Sequence, residues 1–192
     1  MELTLSKNSP VNTVLYDAQG QPQYRIFTPF AFSGQTTTIY RVTGHRPGPV
    51  DYNHKTPYSG EEELARIHWH SFSRMTTLEY NGQSVEFHSF LPSQSGLFKH
   101  TRRKLTGPDN RTYDWHMKSA CYLDFTDGSG STIPVARFHL DNIWKSKKPM
   151  LEISPAGMDM VDLIVITFVY VQNKEEESEH TATASATAAA VS

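Results

Sequence analysis

The sequence has a single cysteine, almost no net charge and no apolar run long enough to cross a bilayer. Cys121 alone excludes an intrachain disulfide and a cysteine-based zinc site, and its setting in SACYLDF predicts a buried structural thiol. The 192 residues include 18 Lys and Arg against 20 Asp and Glu, a net charge of −2. No global field therefore attracts the protein to nucleic acid, and we expect no nucleic-acid partner.

Several catalytic and targeting motifs are also missing. The chain has no G-x-S-x-G nucleophile elbow, no G-x-G-x-x-G fingerprint and no phosphate-binding loop. The N-terminal segment MELTLSKNSP lacks the apolar core of a secretory signal, so we expect a cytoplasmic location, either free or peripheral at membranes. These absences leave catalysis open, favour a non-enzymatic role and predict no cofactor.

Most of the chain has the alternation and turn signals of β-hairpins. Turn sequences such as DAQG at 17–20 and TDGSGS at 126–131 separate short alternating runs, and Asn81-Gly82 suits a two-residue type I′ turn. A sheet of many strands curls or closes, which removes its exposed edges. We predict strands near 2–5, 12–16, 23–28, 36–42, 64–70, 75–80, 84–90, 112–118, 120–125, 132–140 and 149–153.

The most apolar stretch is Leu163–Val171, which is shorter than the roughly 20 residues of a spanning helix. It has almost no polar face, so it must be surrounded by protein rather than lipid or water. Its β-branched residues favour a strand, whereas Asp159 and Asp162 suit the first turn of a helix. A barrel of about twelve strands is too wide for its own side chains to fill, and a helix that is apolar on every side would fill it.

Five segments in this order resemble an uncharacterised family of fungal, chiefly basidiomycete, domains over roughly residues 3–173. They are NSPVNTVLYDAQGQPQYRI near the start, ARIHWHSF at 65–72, TGPDNRTYDW at 106–115, PVARFH at 134–139 and DLIVITFVYV at 162–171. That family is similar to the tubby, LURP-one and phospholipid-scramblase C-terminal domains. The resemblance implies a mainly β, closed or nearly closed antiparallel barrel of twelve strands around one hydrophobic C-terminal helix. It implies no activity and no site residues.

The domain is expected to occupy residues 1–173. Residues 174–192 are acidic and then rich in Ala, Thr and Ser, a composition that predicts a disordered tail. Residues 44–62 contain three prolines and three glycines and predict a long surface loop, which in a purely structural scaffold would be the segment that contacts a protein partner.

Two basic segments are the candidate ligand-binding residues. FKHTRRKL contributes Lys99, Arg102, Arg103 and Lys104, and WKSKKP contributes Lys145, Lys147 and Lys148. Lys and Arg near an anionic surface each contribute about 1 kcal/mol to binding. The first hypothesis is therefore a non-enzymatic module that binds anionic lipid headgroups, or a protein partner, through basic loops.

The second hypothesis is a metal-dependent or small-molecule-converting barrel that uses strand histidines. HWH places His68 and His70 on one strand face, and His88 shares a face with Glu86 of a neighbouring strand, so the three histidines form a conceivable metal site. Against it, Ile67 and Trp69 are the more apolar pair and are expected to face the interior, which leaves His68 and His70 outside.

The interpretation of the C-terminal helix gives a first testable prediction. Deletion of residues 158–173 should leave the rest of the chain unable to fold, because it removes what fills the barrel. Solubility and thermal melting of the truncated protein measure this, and a soluble, cooperatively melting product would contradict the prediction.

Overall fold

The structure is a computed structural model that describes residues 1–31, 34–44, 56–70, 75–94, 102–117, 120–140 and 148–191. Within these residues twelve strands form one antiparallel sheet in the order β7-β6-β5-β4-β3-β2-β1-β12-β11-β10-β9-β8. The strands are Glu2–Leu5 (β1), Thr13–Tyr16 (β2), Pro22–Phe27 (β3), Thr36–Val42 (β4), Glu61–His68 (β5), Thr77–Tyr80 (β6), Gln83–Glu86 (β7), Arg102–Thr106 (β8), Thr112–His116 (β9), Tyr122–Thr126 (β10), Thr132–His139 (β11) and Met150–Ile153 (β12).

Two helices accompany the sheet. A single turn, Phe87–Phe90 (α1), follows β7, and a 31-residue helix, Val161–Val191 (α2), follows β12. A 3₁₀ helix at Pro155–Met160 leads into α2, and the Ser154 hydroxyl accepts a hydrogen bond from Ala156 N at its start. Because α2 extends beyond residue 173, it includes most of the segment for which the sequence predicts disorder. That prediction concerns order in solution and stays a prediction.

The hairpin turns appear where the sequence predicts them. Asn81 and Gly82 have φ values of 51° and 72°, as a type I′ turn requires, and the turns after β2 and β10 are stapled by the side chains of Asp17 and Asp127. Two differences concern the basic and histidine segments. Residues 102–106 form a full strand, β8, and β7 ends at Glu86, so that residues 87–90 are helical rather than extended.

Alternating strand directions give the sheet two ends. The turn end has the four short hairpin turns, after β2, β6, β8 and β10, together with the start of α2. The exit end is the opposite one, where α2 leaves the sheet.

Helix α2 is covered on every side between Leu163 and Gln172, where ten consecutive residues are buried. Successive residues of a helix point about 100° apart, so the cover must come from all directions. It comes from both halves of the sheet. Trp115 Nε1 of β9 donates to Thr167 Oγ1 at 3.0 Å, Phe138 of β11 packs on Phe168, and the Tyr24 hydroxyl of β3 donates to Asp162 at 2.6 Å. The sheet therefore curls around α2.

The two terminal strands of the sheet do not pair with each other in the described part of the chain, so the sheet is not closed. The gap between β7 and β8 is called the seam here. Residues 92–94 run along β8, with Lys104 N donating to Pro92 O at 2.9 Å and Ser93 opposite Arg103, and α1 joins them to β7. The expected twelve-stranded antiparallel sheet and C-terminal helix are present, with a seam in place of a final strand pair.

One described stretch, Pro155–Ser178, has the length and apolar composition of a membrane-spanning helix. Inside the protein, 61% of its most apolar window is buried. Core packing accounts for this composition, because residues 163–172 contact the sheet.

Gly157, in the 3₁₀ helix, gives a test of this packing. A methyl group at Gly157 would lie 2.8 Å from Ile164 Cδ1 and 2.9 Å from Ile153 Cγ2, which is too close for carbon atoms. We expect Gly157→Ala to lower the free energy of unfolding by about 1–3 kcal/mol. Gly128→Ala is the matched control, since its added carbon meets nothing within 4 Å. Equal denaturation midpoints for the two variants would contradict the packing.

Candidate functional site

The three predicted basic residues at 102–104 lie on strand β8, and their side chains point to both faces of the sheet. Arg102 and Lys104 are exposed on the outer face of the sheet, whereas Arg103 points inward. Arg103 Nη1 donates to Leu91 O at 3.1 Å, and its guanidinium carbon lies 5.2 Å from the Tyr170 ring of α2. Arg103 therefore belongs to the packing between the seam and the helix, and the two outer cations remain available to a ligand.

Strand direction brings Lys148, the one described cation of the second basic segment, to the same end of the sheet as Arg102. Strands β8 and β12 both begin at the exit end. Lys148 is exposed and lies just before β12. Between these strands, Arg137 is exposed on β11 in the same cross-strand row as Arg102, through the pairs Arg102–His116, His116–Tyr122 and Tyr122–Arg137. Three strand spacings place Arg102 and Arg137 about 14 Å apart along the sheet.

The four residues Arg102, Lys104, Arg137 and Lys148 are called the cationic wall. Within the described residues, Arg102, Lys104 and Lys148 form no ion pair, and Arg137 lies over the Tyr122 ring with its guanidinium carbon 5.6 Å from the ring centre. Arg102, Lys104 and Lys148 are therefore not held in a direct ion pair by any described carboxylate, although Asp114 is opposite Lys104 and Glu152 is opposite Arg137 in the strand register. Lys99, Lys145 and Lys147 complete the predicted set and lie outside the described residues.

The carboxylates on the same wall contact neutral or histidine side chains, and Glu152, which is opposite Arg137, lies 2.9 Å from His139 Nε2. Asp124 lies 3.0 Å from His116 Nε2, and Asp114 accepts a hydrogen bond from Gln94 Nε2. The His116 ring stacks on Tyr122 with centroids 4.2 Å apart, so the middle of the wall is a flat, aromatic surface. Arg137 was not predicted as a site residue. The alternation of PVARFH, in which Arg137 lies between buried Ala136 and Phe138, is the signal that places it outside.

The three histidines of the metal hypothesis are in different environments. His68 is on the outer face, as predicted from buried Ile67, and its Nδ1 is 3.0 Å from Thr36 Oγ1. His70 follows β5 and lines a separate cavity at the exit end, of about 430 Å³, together with Trp69 and Lys174.

The placement of His88 on a strand was wrong. His88 is exposed on the helical turn α1, because the strand ends at Glu86 and the chain turns so that Phe87 can pack on Tyr170. Among the described residues, no group of three His, Cys, Asp or Glu side chains is arranged to hold a metal ion.

Comparison with protein families gives one match. Residues 8–177 match the model of a family of unknown function, DUF6593. The chain belongs to this family. Searches of the curated proteins and of the solved structures found no match.

In this DUF6593 domain Cys121 is buried just before β10, as the sequence predicts. Burial, with a smaller contribution from the charge of Glu175, raises the pKa of the Cys121 thiol to about 12. A thiol with this pKa is almost fully protonated at neutral pH, so it is a poor nucleophile. Its place is structural, in the core near the exit end.

This burial predicts the reactivity of the thiol. Native protein at pH 8 should react with a thiol-specific disulfide reagent many times more slowly than protein unfolded in guanidinium, because the thiol is both covered and protonated. The change in absorbance of the released chromophore measures both rates. Equal rates in the two states would contradict the burial of Cys121.

Proposed function

We propose that this domain is a non-enzymatic binding module that attaches to anionic phospholipid through the cationic wall. The observation that carries the proposal is that Arg102 and Lys148, more than 40 residues apart in the sequence, both lie at the exit end of the sheet, with Arg137 on a strand between them. Arg102, Lys104 and Lys148 form no direct ion pair with a described carboxylate. Lipid phosphates can therefore contact them directly, at about 1 kcal/mol for each nearby cation.

An exposed apolar residue supports a lipid surface over a soluble phosphate. Leu140 directly follows β11 and is 65% exposed. It is at the exit end of the same wall as Lys148, because β11 ends and β12 begins there. A large apolar side chain beside cations can enter the boundary between headgroups and acyl chains, whereas a free phosphate offers it no contact. The domain would accordingly be cytoplasmic and peripheral at membranes, with no segment crossing them.

We infer that the fold is the tubby-like barrel that the sequence resembles. The support is architectural: twelve antiparallel strands curl around one C-terminal apolar helix, and α1 with residues 92–94 bridges the seam. The metal-dependent alternative gains no support from the site, because the three histidines do not meet. His68 contacts Thr36, His70 lines the cavity at the exit end, and His88 is exposed on α1. The features that would bind a protein partner lie at the opposite end of the sheet, the turn end.

The lipid proposal is tested by sedimentation with vesicles of phosphatidylcholine with or without phosphatidylserine. We expect binding only to the anionic vesicles, decreasing as salt rises, because exposed charges are screened. Arg102→Ala with Arg137→Ala should weaken the partition about 30-fold, from the loss of about 2 kcal/mol.

Arg111→Ala is the matched control. Arg111 is exposed at the turn end, away from the cationic wall, and should bind like the unaltered protein. Equal binding to neutral and anionic vesicles, or a double variant that binds as well as the control, would reject the proposal.

A further inference from the structure

Two openings in the described structure lie at the turn end, beside the seam. One cavity of about 560 Å³ occupies the part of the seam that α1 does not fill. Its floor is the start of α2 and its walls are the two hairpins that border the seam. The apolar lining residues are Phe90, Pro108, Met158, Met160, Val161 and Leu163. Met158 is 48% exposed, so apolar surface is open to solvent here.

A second groove, also of about 560 Å³, lies on the outer face of β5–β7 and shares Arg41, Tyr80 and Asn81 with the seam cavity. The two openings are therefore continuous around the hairpin tip. Together they are lined by five carboxylates and one guanidinium, that of Arg41. The five acids are Glu62, Glu63, Glu79, Asp159 and Asp162.

Four of the five acids have a cationic partner, and one does not: Arg66 contacts Glu63 at 2.7 Å and Glu79 at 4.0 Å, so the five acids face two guanidinium groups. Arg41 contacts both Glu62 and Asp162, and Asp162 also accepts the Tyr24 hydroxyl hydrogen bond at 2.6 Å. Asp159 is exposed and has no hydrogen bond or ion pair to any described residue. The surface is thus acidic overall, with a free carboxylate at the mouth of the apolar cavity.

Among the described residues, the strand that borders this cavity, β7, pairs on one side only. In the β6–β7 hairpin the pair Tyr80–Gln83 closes a two-residue turn and exchanges hydrogen bonds, so the next pair, Glu79–Ser84, directs its amide groups outward. Ser84 N–H and C=O therefore point away from β6, into the seam. No described residue forms a backbone hydrogen bond with them.

We propose that the seam binds an extended basic peptide, which adds to β7 as a further strand. Successive side chains of a strand point to opposite faces, so every second residue would enter the apolar seam cavity and the alternate residues would lie over the acidic outer groove. A free sheet edge between an apolar and an acidic opening fits alternating lysine and apolar side chains. A small cation would contact the carboxylates but neither the apolar cavity nor the unpaired edge of β7. This site is independent of the cationic wall.

The test uses the full chain and a fluorescent peptide of alternating lysine and leucine, followed by anisotropy. We expect saturable binding that weakens with salt. Ser84→Pro should abolish it, because proline removes the outward N–H and leaves the β6 ladder intact, since Ser84 does not donate to β6. Asp159→Asn should weaken binding about threefold, as expected for one charge at a solvated rim.

Glu2→Gln, an exposed acid on β1, is the control for loss of one charge and should bind normally. Thermal melts establish that each variant is folded. If the Ser84→Pro protein has a clearly lower melting temperature, the binding of the Asp159→Asn protein is the result that tests the proposal. The proposal is overturned by a folded Ser84→Pro protein that retains binding, by an Asp159→Asn protein that binds like Glu2→Gln, by equal binding of a glutamate–leucine peptide, or by complete displacement with equimolar spermidine. Binding to anionic vesicles is unaffected by any of these results.

Discussion

The structure depends on keeping one helical segment out of water on every side. Ile164, Val165, Ile166, Phe168 and Val169 are fully buried although they point in all directions from the axis of α2. A flat sheet could cover only one face of such a helix, so the sheet has to curl around it. Between Ile164 and Val169 the one polar side chain is that of Thr167, whose hydroxyl donates to Leu163 O and accepts from Trp115 Nε1.

Local sequence patterns predict most of the strands, because each depends on neighbouring residues. Local patterns do not predict whether the apolar segment is a helix or a strand. Its β-branched residues favour a strand on propensity, whereas the flanking Asp159 and Asp162 and the width of the barrel favour a helix, and the family resemblance decided between them; burial on all sides overrides the strand propensity. β8 was missed because R-R-K-L-T shows little apolar alternation, although Leu105 is fully buried.

Only part of the candidate site could be predicted from the sequence. The basic residues were identifiable as a charge run, but their division between two faces and their meeting with Arg137 depend on strand order. The same applies to the buried pair Arg25–Glu61, whose side chains are 0% and 1% exposed and which joins β3 to β5 beneath Tyr58. Its partners are 36 residues apart, and nothing local marks them.

Charge is separated along the sheet in a way that composition conceals. The net charge is only −2, yet cations without direct ion pairs lie on one outer wall and carboxylates gather around the seam at the turn end. The two proposals assign a different partner to each of these surfaces. The core helix contributes to both, through Asp162 at the seam and through the packing that supports β8 and β11.

Hydrogen exchange of the backbone amides tests the central claim, that the sheet encloses α2, most directly. The amides of residues 163–172 are predicted to exchange only through global unfolding, with protection equal to or greater than that of any strand. Exchange of these amides that is faster than that of β3 and β11, through a local opening that releases the helix, would contradict enclosure.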